Sequence, residues 1–125
     1  MAKYIEVTTL DRPRRMSFRY ADLKELSRML GGAPLFGDGG NTDTSMLTRL
    51  SRMDPFALSA FTWVGLRNHD RDLLNHPERA DDIIQEFLDA GKRPADLVSL
   101  VLDGLRESGI IRTEKAEQNG HPTEA

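Results

Sequence analysis

Fourteen residues constrain this chain more than any others: DPFALSAFTWVGLR, from Asp54 to Arg67. Asp54 is suited to cap free backbone N–H groups, and Pro55 suits the first helical position, where no N–H partner is needed. Phe56, Ala60, Phe61, Val64 and, with a slight turn, Trp63 then form a wide apolar stripe at helical spacing. Apart from Asp54 and Arg67, no side chain here serves as an acid, a base or a metal ligand. A segment of this kind is built to be packed against. Phe61, Trp63, Val64, Gly65 and Leu66 are read as the core signature of the fold, and the function tilts from enzyme toward scaffold or binding protein.

A chain of 125 residues is one domain by length, large enough to bury roughly two-thirds of the surface its unfolded form exposes. The absence of cysteine removes disulfides and thiolate chemistry from consideration. The first residues, MAKYIEVTT, lack the apolar centre of a signal peptide, and no apolar run approaches the ~18 residues that span a bilayer. The expectation is a soluble, intracellular protein with no membrane partner. Net charge is −3, which offers no general attraction to phosphate backbones. The basic residues Lys3, Arg12, Arg14, Arg15 and Arg19 nevertheless outnumber Glu6 and Asp11 at the N-terminal end. A solvated hairpin turn is preferred there over a nucleic-acid patch, because no aromatic residue is interleaved with the arginines.

Residues 3–19 read as a β-hairpin. Ile5, Val7 and Thr9 alternate with Tyr4, Glu6 and Thr8; Asp11, Arg12 and Pro13 supply the turn; Met16 and Phe18 alternate with Arg15, Ser17 and Arg19. A hairpin alone is marginal in water and must lie on helices or pair with another chain. Tyr20, Leu23, Leu26 and Leu30 then recur at helical steps until Gly31 and Gly32. Residues 31–45, GGAPLFGDGGNTDTS, read as a flexible glycine-rich loop, long for a compact domain and so a candidate functional element. Leu35 and Phe36 within it are either a docking hook or a pair tucked onto the core. A short helix carries Met46, Leu47, Leu50 and Met53, and the Trp63 helix follows.

Leu73 and Leu74 are expected to pack inward from a polar connection. A helix beginning at Pro77 turns Ile83, Ile84, Phe87 and Leu88 to one side. Another, beginning at Pro94, carries apolar residues around most of its circumference: Leu97, Val98, Leu100, Val101, Leu102 and Leu105. Such a helix is either central to the fold or half-covered by another molecule. Leu97, Val98, Val101, Leu102 and Leu105, with Leu35 and Phe36, are the candidate protein-interface residues. The whole reads as one mostly α domain over 1–111, a compact bundle of about five helices with a short N-terminal β-hairpin. The polar stretch 112–125 is expected to be disordered.

No constellation for catalysis, cofactor or metal binding emerges. His69, His76, Asp70 and Asp72 match no zinc or calcium spacing. No glycine-rich stretch leads into the lysine and hydroxyl residue of a phosphate loop. Ser59 and Ser99 have no activating base beside them in the sequence. A helix-turn-helix over Ile83 to Leu105 would need polar or basic side chains on its second helix, which is leucine and valine with only Arg106 near its end.

With these elements placed, their order resembles the tail assembly chaperones of long-tailed bacteriophages and the related proteins of gene transfer agents and prophages. The pieces that carry the likeness are the N-terminal hairpin, the FRYADLKELSRMLGG helix (Phe18 to Gly32), the DPFALSAFTWVGLR helix, and two C-terminal helices separated by DAGKRPADL (Asp89 to Leu97). The phrase Trp63, Gly65, Leu66, Arg67 is the most specific of them. The glycine-rich stretch Gly37 to Gly40 departs from the pattern and bears on how the following helix docks. The resemblance implies a non-catalytic, self-associating protein without cofactors. It would coat the tape-measure protein in the host cytoplasm, contact the tail tube protein, and be missing from the mature virion. It also implies two products related by a ribosomal frameshift. The alternative weighed beside it is a structural virion component, a tail tube or head–tail joining subunit, which the small number of strand residues disfavours.

Overall fold

The computed structural model of the chain describes residues 4–7 and 12–112. Two short antiparallel strands, β1 (Ile5–Val7) and β2 (Arg14–Met16), pair with Ile5 opposite Met16 and Val7 opposite Arg14. Five α-helices follow among the described residues: α1 (Tyr20–Met29), α2 (Met46–Ser51), α3 (Pro55–Arg67), α4 (Arg79–Asp89) and α5 (Pro94–Glu107), with a 3-10 turn at Arg71–Leu73 between α3 and α4. The expectation of a mostly α bundle with an N-terminal hairpin is met. The hairpin positions 3 and 8–11 lie outside the described residues, as does the polar tail apart from Arg112.

Local chemistry sets the helix boundaries. Asp54 accepts from the backbone N–H groups of Phe56 and Ala57, with Pro55 opening α3. The helices α1 and α5 begin alike: Asp22 accepts from the Arg19 N–H at 2.8 Å, and Asp96 from the Arg93 N–H at 2.9 Å. Gly91, with φ +89°, allows the chain to leave α4 and turn into α5.

The central element is α3, which touches β2, α1, α2, α4, α5 and the 3-10 turn. Ala57, Leu58, Ala60 to Val64, Gly65 and Leu66 are all buried, so almost the whole circumference of this helix is enclosed. Its first turn is not. Phe56, placed on the packed stripe by its spacing, is 76% exposed. At the start of the helix no neighbouring element among the described residues covers it. Leu74 after the 3-10 turn is likewise exposed, against the expectation that it packs inward, and Tyr20 at the start of α1 is exposed too.

Candidate protein-contact surfaces

The signature at the end of α3 is a structural knot. The Trp63 indole N–H donates to the Leu73 carbonyl, tying α3 to the 3-10 turn. The Arg67 guanidinium lies over the Trp63 ring at 4.7 Å and reaches the buried Asp22 of α1 at 3.0 Å. Asn68 Nδ2 donates to the other Asp22 oxygen and to the Ser17 carbonyl, both at 2.8 Å. The Ser17 N–H in turn donates to the Gly65 carbonyl at 3.1 Å. Gly65 leaves the space that this approach needs: a Cβ there would stand 2.7 Å from Met16 Cγ and from Phe18 Cζ. Phe61, Trp63, Val64, Gly65 and Leu66 are all buried, so none offers a surface to a partner.

The α5 residues require a correction. Leu97, Val98, Val101 and Leu105 are buried within the single core cluster. The face that looked surplus is covered by the hairpin: β1 lies against α5, and Phe18 and Met16 approach Gly104 to 3.2 Å and 3.4 Å of a Cβ position. These four side chains are not a contact surface of the folded chain. Leu102 differs, being only partly buried.

The glycine-rich loop, read from the sequence as flexible, carries a set of hydrogen bonds. They are organised by Asp43, whose carboxylate accepts from the Gly39 N–H at 2.6 Å, the Ser45 N–H at 2.8 Å and the Thr48 hydroxyl at 2.8 Å. The Arg52 side chain clasps the Gly40 and Asp43 carbonyls, and the first amides of α2 donate to Pro34 and Leu35. The Ser45 amide, the Thr48 hydroxyl and the Gly39 amide together hold the Asp43 carboxyl well below the usual carboxylate range. Gly37 is required by packing, since a Cβ there would stand 2.0 Å from Asp43 Oδ1. The signal available in the sequence was the Asp-x-Ser spacing at Asp43 and Ser45, which makes a local Asx turn.

This bonded loop holds Phe36 out at 61% exposure, while Leu35 packs partly against the core. Beside Phe36 runs an open groove of ≈ 390 Å³ lined by Leu47 and Ser51 of α2, Leu102 and Arg106 of α5, and Ile111 and Arg112 beyond it. Of the residues expected at an interface, Phe36 and Leu102 are brought together at this groove, whereas Leu35 packs toward the core. Sequence reasoning missed Leu47, Ser51, Arg106, Ile111 and Arg112, because nothing in their spacing marks two helices as walls of one groove.

Two other surfaces have different characters. Phe56 lines a second groove of ≈ 360 Å³ with Met29, Pro55, Pro77, Glu78 and Asp81, where the Ser59 hydroxyl donates to Asp81 at 2.6 Å. At the hairpin corner, Arg12 donates to Asp70 at 2.9 Å and Arg14 pairs with the same carboxylate. His69 accepts or donates at 2.8 Å with Ser17, and burial, then the charges of Arg15 and Arg19, lower its pKa. The Tyr4 ring meets His69 edge-on with Arg15 stacked over it, so the fold brings to the arginines the aromatic neighbours that their sequence lacks. No helix among the described residues is long and apolar enough to cross a membrane. Comparison with models of known families, with curated proteins and with solved structures gives no match to this chain.

Proposed function

We propose that this chain is a non-catalytic assembly chaperone of a long-tailed bacteriophage or related particle. In this reading it binds the tape-measure protein, helps recruit tail tube subunits, works in the host cytoplasm and is left out of the mature virion. Self-association while on the client belongs to the same reading. The observation that carries it is the exposed Phe36 beside the Leu47–Leu102 groove: an apolar contact surface held out by a bonded loop. The resemblance of the Trp63 helix and its flanking elements supplies the identity of the client.

The physical logic is competitive covering. A long helical client with an apolar side aggregates unless that side is covered, and the cover must leave when the tube forms. A shallow groove gives moderate affinity for one helical segment. Many copies along one client hold through avidity and can still be displaced one by one.

Mass spectrometry of purified virions beside the infected-cell lysate tests the assignment. The reading predicts the chain in the lysate, bound to the tape-measure protein, and its absence from virions. Stoichiometric recovery from virions would instead make it a structural component of the tube or the head–tail joint.

A further inference from the structure

The groove at Phe56 carries charge of one sign. It lies where α3 and α4 begin and is backed by Met29 of α1, so three elements shape it. Phe56, Met29 and two prolines give it an apolar lining, and Phe56 is 76% exposed. The charged side chains that line it among the described residues are both carboxylates, Glu78 and Asp81.

The Asp81 carboxylate is not neutralised within the folded chain. One oxygen accepts from the Ser59 hydroxyl at 2.6 Å, which ties α4 to α3 and supplies no positive charge; the other meets no donor among the described residues. Glu78 contributes less, since His76 lies 3.1 Å from it and Arg79 is its neighbour in the chain. Over residues 78–89, Glu78, Asp81, Asp82, Glu86 and Asp89 stand against the single arginine Arg79. Of these carboxylates only Glu78 has an ion-pair partner among the described residues.

The helix starts do not reverse the sign. Asp54 caps α3, and Asp81 and Asp82 occupy the first turn of α4, so the amide ends that attract anions already face carboxylates. Covering Phe56 also takes water from Asp81, because both line one groove. A purely apolar ligand would leave that carboxylate desolvated and unpaired, and an acidic one would add repulsion. A Lys or Arg beside the apolar side chain replaces the lost water with a charge-assisted hydrogen bond to the open Asp81 oxygen.

We propose that this groove is a second docking surface, for a segment of a partner protein whose apolar anchor is flanked by Lys or Arg. Phe56 and Met29 take the anchor, and Asp81 takes the cation. This surface is separate from the groove beside Phe36 and does not depend on what binds there.

The test uses the full chain and two fluorescein-labelled peptides that share one apolar stretch, flanked by lysines in one and by glutamates in the other. Fluorescence anisotropy at low salt should show the Lys peptide binding at least about tenfold tighter, with the gap narrowing as salt rises. Asp81→Asn keeps an acceptor for the Ser59 hydroxyl while removing the charge, and should erase most of that preference. Phe56→Ala should weaken the Lys peptide at least about tenfold while circular dichroism and Tm stay at wild-type values. Phe36→Asp should leave its binding unchanged. Equal binding of the two peptides, binding of neither, a Lys preference that survives Asp81→Asn, binding indifferent to Phe56→Ala, or binding lost in Phe36→Asp overturns the proposal. So does light scattering in which the chain alone is an oligomer that Phe56→Ala converts to monomer, because a second copy then fills the groove.

Discussion

The Phe18 ring occupies space that a side chain on Gly65 would need, its Cζ 2.7 Å from where a Cβ would lie. The hairpin is thereby seated on the centre of the bundle, and it also covers Gly104 of α5 at a slightly greater distance, 3.2 Å. Gly65→Ala should destabilise the protein by about 1–3 kcal/mol through overpacking. Gly104→Ala should cost less, because its neighbours need to give way by only a few tenths of an ångström. Urea melts of the two variants check the order.

Asp22 is buried and meets Arg67, Asn68 and the Arg19 amide. Arg67→Ala leaves that carboxylate with its main charge partner gone and should cost about 3 kcal/mol. The solvent-exposed Arg93–Asp96 pair, screened by water, should contribute far less by the same measure. Arg67→Lys should restore only part of the loss, since a point charge neither stacks on Trp63 nor keeps the guanidinium fork. A double-mutant cycle on Asp22 and Arg67 measures the coupling.

The Asp43 loop should respond to acid. Its folded carboxyl titrates below the ordinary value, so the charged form is the one the fold favours. Its contribution is complete above about pH 4, the unfolded value for aspartate. It is lost as the pH falls from there through the lower, folded value. Hydrogen exchange at the Gly39 and Ser45 amides should accelerate over that acid range, and Asp43→Asn should show fast exchange at neutral pH as well.

Val101 is fully buried on α5, whereas Phe36 is largely exposed on the loop. Val101→Asp should therefore unfold the chain, with loss of helical circular dichroism, because it buries an unpaired charge. Phe36→Asp should leave both spectrum and Tm unchanged.

The helices were legible because their ends carry local chemistry. Asp54 with Pro55 opens α3, and Gly31 and Gly91, both at positive φ, close α1 and α4. What spacing does not encode is which neighbour covers an apolar face. The surplus face of α5 suggested a second molecule, yet Met16 and Phe18 of the hairpin fill it against Gly104. Phe56 fits the α3 stripe by period and still faces water, since coverage fails at the helix's first turn. In the loop, the glycines suggest freedom, while one aspartate three residues before α2 gathers several of its hydrogen bonds. Of the contact surface, Phe36 and Leu102 were visible as unplaced apolar residues. The groove's other wall residues depend on how α2 and α5 meet, which is a tertiary fact.

The central claim is that the Phe36 groove covers an apolar client. It is tested most directly by co-expressing the chain with a phage tape-measure protein and measuring how much client stays soluble. The account predicts a soluble client with the wild-type chain and an aggregated one with a folded Phe36→Asp variant. A client equally soluble with both, or equally insoluble with both, contradicts it.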